Sequence, residues 1–230
     1  MMNNKSTCKV LMYHNIAKPP RNARLKSLYI TPAQFERQLK FLKLIGYKYS
    51  EIDKIEDKTV IPTFDDAYKD FIENAYPLLE KYGYKGYVFV PAKLVGKYNE
   101  WDYEKLNVKK EIMDWEDLRF LVSKGYKIGS HTLTHPDLTK LSDEELKKEI
   151  FDSKKILEDK LGVEIDTFCY PYGYYNDKVT EMVKKAGYKY AFLVEEKRCS
   201  LDKPYEIGRI NVAGNRVFVF LSFLEKFLRF

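Results

Sequence analysis

The stretch Thr59-Val-Ile-Pro-Thr-Phe-Asp-Asp-Ala-Tyr68 decides how this chain is read, because a run of β character ends there in two adjacent carboxylates. Val60 and Ile61 read as part of a buried strand, Asp65 and Asp66 stand at its C-terminal end, and Tyr68 to Tyr82 reads as a helix. An aspartate between strand and helix is often only an N-cap, its oxygen accepting from an exposed helical N–H. Two in a row exceed what one cap needs. In α/β sheets ligands bind outside the carboxyl ends of the strands, which favours a functional reading of this pair.

Outward from this stretch, strand and helix patterns alternate, and Gly-Tyr recurs where a helix hands over to a strand: Gly46-Tyr47, Gly83-Tyr84, Gly125-Tyr126 and Gly187-Tyr188. Glycine just past a helix closes it in the left-handed conformation, and the aromatic residue begins the next strand. Thr31-Pro32 opens a helix to Ile45, Asp114 caps Trp115 to Lys124, and Ser142 with Glu145 forms a capping box for a helix ending at Leu161. The expected strands are Lys9–Tyr13, Val60–Phe64, Tyr87–Val90, Lys127–Ser130, Thr167–Tyr170, Tyr190–Val194 and Ile207–Val212. Helical crossovers make them parallel. Tyr98 to Lys110 follows no period and reads as an inserted loop. Val217 to Phe230 has polar residues only at 222, 225, 226 and 229, all on one helical face. A closing helix packed on the barrel is preferred there over an amphipathic helix resting on a membrane surface.

A chain of 230 residues without a linker or low-complexity tract is expected to form one domain, residues 1–230. The formal charge of +6 comes from 40 basic against 34 acidic residues dispersed along the chain, so no basic block marks a nucleic-acid interface. The 19 tyrosines suit sugar stacking, although most are expected in the outer packing layer. Cys8, Cys169 and Cys199 lack CxxC spacing and an even count, which argues against a disulfide framework and for a reducing compartment. There is no apolar leader and no run long enough to span a bilayer. As it stands the sequence reads as cytoplasmic, or as extracellular or cell-surface if a leader has been removed.

All three histidines follow expected strands: His14 after Val10–Tyr13, His131 after Lys127–Ser130, and His135 four residues later. Any one alone would be read as satisfying a local hydrogen bond. If the strands are barrel neighbours, His14, Asp65, Asp66, His131 and His135 converge on one rim. His131-Thr-Leu-Thr-His135 can aim two imidazoles at one ion from a helical turn or a compact loop, and Pro136 disfavours the helix. Two neutral imidazoles and a carboxylate, with positions left open, are the donor set of catalytic zinc; cobalt or nickel would also accept it. A divalent ion there brings the pKa of water towards roughly 7, and the second carboxylate can then take its proton.

Thr63-Phe-Asp-Asp66, Ser130-His-Thr-Leu-Thr-His135 and Tyr170-Pro-Tyr-Gly173 resemble, in order and over most of the chain, the motifs of the polysaccharide deacetylases of carbohydrate esterase family 4, the NodB homology domain. The resemblance implies a distorted (β/α) barrel, here of about seven parallel strands. It implies Asp65 as general base and Asp66, His131 and His135 as metal ligands. It also implies that the backbone N–H of Tyr172 holds the oxyanion and that Tyr172 and Pro171 meet the substrate. Two positions depart from the family pattern. Cys169 stands where the family has an arginine that orients the base; Arg209 is a candidate replacement on position alone, and a plain surface or structural arginine is an equal reading of it. No histidine follows His135, where the family has its late acid. Leu11-Met-Tyr-His-Asn-Ile16 resembles the poly-N-acetylglucosamine deacetylase branch, which draws the acid from the first strand; His14 is then expected to protonate the leaving amine.

The expected activity is metal-dependent removal of N-acetyl groups from N-acetylated oligo- or polysaccharide. An O-acetyl carbohydrate esterase is the nearest enzymatic alternative. A catalytically inactive glycan-binding barrel is the alternative from another class, supported by Cys169.

Overall fold

The computed structural model describes residues 9–196, 199–212 and 219–229. Its strands are β1 (Lys9–Tyr13), β2 (Lys48–Tyr49), β3 (Thr59–Phe64), β4 (Tyr87–Val90), β5 (Lys127–Ser130), β6 (Thr167–Cys169), β7 (Tyr190–Phe192) and β8 (Ile210–Asn211). The main helices are α1 (Pro32–Leu44), α2 (Tyr76–Tyr82), α3 (Tyr103–Leu106), α4 (Trp115–Ser123), α5 (Asp143–Lys147), α6 (Ser153–Leu161), α7 (Asp177–Lys185) and α8 (Val219–Arg229). The strands run in the order β7-β6-β5-β4-β3-β1-β8, all parallel, and β2 adds to the edge of β3. This is the expected distorted (β/α) barrel, seven strands on the main path. The segment from Ile207 to Asn211 closes it. Ile207 bridges to Phe192 of β7, and Ile210 and Asn211 pair with Leu11 and Met12 of β1.

The sheet's two faces bury different things. On the inner face Val10, Ile61, Tyr87, Phe89, Cys169, Phe192 and Ile207 form a small apolar plug. Gly129 lies beside Phe89, and a Cβ at that position would sit 2.5 Å from the Phe89 ring, so the absence of a side chain there makes room for a large one on the next strand. The larger core lies between the sheet and the helices. The four Gly-Tyr marks behave as expected, with φ of 80°, 75°, 79° and 81° at Gly46, Gly83, Gly125 and Gly187. The caps at Thr31, Asp114 and Ser142 are also in place, each a capping box.

Four expectations are corrected. The helix expected from Tyr68 begins later, as a π turn at Phe71–Ala75 leading into α2, because Asp66 and Ala67 take left-handed values and Tyr68 bridges to Ile112 instead. The strand expected over Ile207–Val212 shrinks to Ile210–Asn211, because the segment divides its bonding between β7 and β1. The Tyr98–Lys110 loop contains one helical turn, α3. Cys199 is disulfide-bonded while Cys169 is free and buried, so the expected absence of disulfides does not hold; spacing along a chain does not decide which cysteines meet in a fold.

The closing helix α8 packs as preferred. Phe223 and Phe227 are buried, both edge-on to Phe41 of α1, with Tyr47 against Phe227. Burying each such ring contributes about 2 kcal/mol. Val217, Phe218 and Phe230 of that expected helix lie outside the described residues.

Asp70, at the start of the π turn, accepts the Ile16 N–H at 3.1 Å and thereby ties the end of β1 to the helix. Burial pushes its carboxyl up to about 7. The folded state therefore holds a proton that the unfolded chain gives up near the ordinary carboxylate value, and stability falls as pH rises from about 4 to about 7. Asp70→Asn keeps an acceptor and removes the titration. Chemical denaturation at pH 5 and pH 8 should show the wild type losing on the order of 2 kcal/mol between them and the variant losing much less; equal losses would refute the assignment.

Candidate active site

Asp65 extends the β3 ladder by one residue, its N–H donating to the Tyr13 carbonyl at 2.9 Å. The chain then turns at once, with φ of 70° at Asp66 and 52° at Ala67, values that cost a residue other than glycine on the order of 1 kcal/mol. The segment just after the insertion holds this turn in place. Met113 N–H donates to the Ala67 carbonyl and Lys69 N–H to that of Glu111, each at 2.9 Å. As a result the two neighbouring carboxylates meet different partners, and neither caps a helix.

Asp65 is held by Arg209, which is fully buried. Nη1 donates to Oδ1 at 2.7 Å and Nη2 to Oδ2 at 2.8 Å, a bidentate pair. The remaining guanidinium donors reach the Leu193 carbonyl at 2.6 Å, Thr63 Oγ1 at 3.1 Å and Cys169 Sγ at 3.1 Å. Every N–H of the fork thus has an acceptor, as a buried charge requires. Burial alone would push the Asp65 carboxyl up; the Arg209 guanidinium overrides it and holds the group well below the usual carboxylate range. The partner that sequence position alone only proposed is therefore present. The small Cys169 side chain leaves room on β6 for an arginine arriving from the segment that closes the barrel beside β7.

Asp66 faces the histidines. Its Oδ1 lies 3.6 Å from His131 Nε2 and 3.5 Å from His135 Nε2, and one donor atom from each of the three falls within 4.8 Å of the others. That carboxylate oxygen is buried with no hydrogen-bond partner, an arrangement a divalent cation would satisfy. His131 Nδ1 donates to the Cys169 carbonyl at 2.8 Å, which leaves the Nε2 lone pair towards Asp66. Burial, followed by the neighbouring His131, pushes the His135 imidazole down to about 3, so it is neutral, the form that ligates metal. Asp65, His131 and Cys169 also lie close together. They are the poorer set: Arg209 occupies Asp65, and burial raises the Cys169 thiol so that it stays protonated.

The two histidines sit on a compact loop, not a helical turn, with φ of 68° at Thr132 and 63° at His135. Glu149 clamps that loop from the helical side. Its carboxylate accepts Leu133 N–H at 2.9 Å, Thr134 N–H at 3.0 Å and the Thr134 hydroxyl at 2.6 Å. Trp101, from the insertion, stacks on the His135 ring at 4.6 Å, and Tyr172 meets the same ring edge-on at 4.6 Å. Pro171 is buried at the start of the Tyr172 turn, where Tyr172 has a φ of 58°. His14 is the least buried of the three histidines, at 17% against 3% and 6% for His131 and His135. Its Nε2 lies 3.9 Å from Asp65 Oδ2. Burial lowers its pKa, and the charges of Asp65 and Asp66 offset part of that.

His14, Asp65, Asp66, His131, His135 and Tyr172 are thus gathered at the carboxyl end of the barrel. Sequence reading missed Trp101 and Glu149. Neither carries a motif; an aromatic inside an aperiodic insertion and a glutamate on a helical surface have ordinary structural explanations.

A family model for polysaccharide deacetylases matches residues 53–191. A putative polysaccharide deacetylase of Bacillus subtilis, YxkH, is 29% identical over 89% of this chain and 71% of its own length. The poly-β-1,6-N-acetyl-D-glucosamine N-deacetylase of Staphylococcus aureus is 29% identical over 83% of this chain and 70% of its own length. Among solved structures, the Streptococcus pyogenes deacetylase PplD in complex with acetate superposes with a TM-score of 0.80 at 26% identity, over 96% of this chain and 97% of that one. The matched span includes Asp65, Asp66, His131, His135 and Tyr172, and the barrel and its rim agree with it: this chain belongs to the polysaccharide deacetylase family and is a hydrolase.

Proposed function

We propose that this protein hydrolyses the N-acetyl groups of an N-acetylated glycan, using a divalent cation held by Asp66, His131 and His135. The observation that carries the proposal is the division of labour between adjacent carboxylates, one clamped by Arg209 and the other left facing two imidazole nitrogens. A cation bound there, zinc being the best match to the donors, would polarise the acetamide carbonyl and acidify water beside it.

The chain's own residues do the rest. Asp65, kept ionised by Arg209, takes the proton of the attacking water. Its low basicity limits it to a proton that is already acidic, so the base and the cation corner depend on each other. The backbone N–H of Tyr172, at a left-handed turn against His135, donates to the developing oxyanion. His14 returns a proton to the departing nitrogen; its place beside Asp65 supports this role, since the proton taken and the proton needed then reside on neighbouring groups. Arg209 removes the main support for an inactive glycan-binding barrel, because the base retains its partner although position 169 is a cysteine.

No helix among the described residues is long and apolar enough to cross a membrane. The disulfide at Cys199 supports an oxidising, extracytoplasmic setting over the cytoplasmic one expected from sequence.

Acetate release should be measured from N-acetylglucosamine oligomers and from acetylated xylan, with and without chelator. Chelator-sensitive release from the amide substrates is expected, whereas release from xylan alone would make the protein an esterase. His14→Ala should lower turnover of the amide by about 100-fold or more while metal content stays the same. Loss of metal in that variant would make His14 a ligand.

A further inference from the structure

Both imidazoles of the proposed cation site arrive on one short loop, residues 131–135. Thr132 and His135 have φ of 68° and 63°, a backbone region that residues other than glycine keep only when their surroundings enforce it. Every backbone N–H of the loop has an acceptor. That of His131 goes to the Val90 carbonyl at 2.9 Å, that of Thr132 to Ser130 Oγ at 3.2 Å and that of His135 to Thr132 Oγ1 at 2.9 Å. The middle two, of Leu133 and Thr134, converge on Glu149 Oε2, while Glu149 Oε1 takes the Thr134 hydroxyl. One side chain from another element therefore holds the centre of the loop.

Glu149 reaches it from a π turn, Lys148–Asp152, between α5 and α6. Such a turn inserts a residue into a helix and recurs at functional sites. Within it the Ile150 carbonyl accepts the hydroxyls of Ser153 and Tyr188 at 2.9 and 3.1 Å, which anchors the turn in the core. Among the described residues no lysine or arginine pairs with the Glu149 carboxylate, so its bonds go to the loop alone.

The two histidines are not equally secured. His131 donates through Nδ1 to the Cys169 carbonyl, the kind of bond that ordinarily orients a metal-binding imidazole. His135 Nδ1 is buried without a hydrogen-bond partner. Trp101 and Tyr172 limit the tilt of that ring, but no bond from the ring itself sets its reach, which falls to the loop backbone.

We infer that Glu149 is a positioning residue for the cation: by pinning the Leu133 and Thr134 amides it holds the loop in its ligating shape before an ion arrives, and so sets the affinity of the site. This rests on the proposed metal site and goes beyond it, because Glu149 is not one of the proposed ligands.

The test measures zinc affinity by competition with a chelating dye, on protein shown to be folded by circular dichroism. Glu149→Ala should weaken zinc binding by about 10- to 100-fold. Glu149→Gln should stay close to the wild type, since its amide oxygen can accept both N–H groups and its NH2 can donate to the Thr134 hydroxyl oxygen. Thr134→Val, which removes one of the three bonds, should weaken binding by less, and it decides the matter if Glu149→Ala does not fold. In metal-free protein the Leu133 and Thr134 amides should exchange hydrogen slowly in the wild type and faster in Glu149→Ala. A less stable Glu149→Ala that holds zinc as tightly as the wild type would make Glu149 a fold residue only, and a Glu149→Gln as weak as Glu149→Ala would place the effect in its charge; either overturns the inference. If zinc affinity depends on Glu149 as expected but no acetylated glycan releases acetate, the deacetylase reading falls and the positioning role stands. A folded wild type that takes up no zinc overturns the positioning role together with the metal site.

Discussion

Asp66→Ala should abolish turnover, by about 1000-fold or more, and with it stoichiometric metal binding. Removing this carboxylate leaves two imidazoles, too few donors and too little negative charge to retain a divalent ion. Stability should move the other way. Asp66 is buried with an oxygen that has no hydrogen-bond partner, which opposes folding of the metal-free chain and is removed by the substitution. Metal content by elemental analysis, acetate release and thermal melting with and without chelator check this together. The wild type should lose thermal stability on chelation, because an ion bound only by the folded state stabilises it by mass action, and the variant should not respond. A variant that keeps both metal and activity would remove Asp66 from the site.

Arg209→Met is expected to have the second large effect, and of a different kind. The substitution leaves Asp65 buried without its counter-charge, which should cost about 3–5 kcal/mol of stability. Turnover should fall by about 100-fold or more through kcat, since the carboxylate loses both its fixed orientation and the charge that keeps it ionised. Metal binding should survive, because none of Arg209's hydrogen bonds goes to Asp66, His131 or His135. Arg209→Lys should recover only part of the rate, because an ammonium cannot reproduce two parallel N–H···O bonds. Full activity in Arg209→Met would show that Asp65 needs no orienting partner.

These two cases also show what could be read from sequence. Asp65, Asp66, His131 and His135 were legible because each lies at the end of a strand whose apolar run is clear, and the barrel topology brings strand ends together. Arg209 was only a possibility, since its pairing with Asp65 joins residues 144 positions apart and no local pattern encodes such a distance. The late start of the helix after Asp66 was missed for a related reason. Two non-glycine residues with positive φ follow β3, and sequence propensity argues against such a turn wherever tertiary contacts, here those with Glu111 and Met113, do not enforce it. Trp101 lay in the insertion that had no period to read. The helix starts after Thr31, Asp114 and Ser142 and the strands Lys9–Tyr13, Tyr87–Val90 and Lys127–Ser130, by contrast, are set by local capping and apolar runs and stand as expected.

The segment that closes the barrel is the same one that delivers Arg209. As a ribosome releases this polypeptide, the first strand with His14 emerges early and the motifs around Asp65 and His131 follow, but the Asp65 carboxylate has no guanidinium to hold it until residue 209 has left the exit tunnel and slotted between the first and seventh strands. A nascent or C-terminally clipped product would carry every family motif without that clamp, so under the proposed mechanism catalytic competence reports that the whole ring has shut.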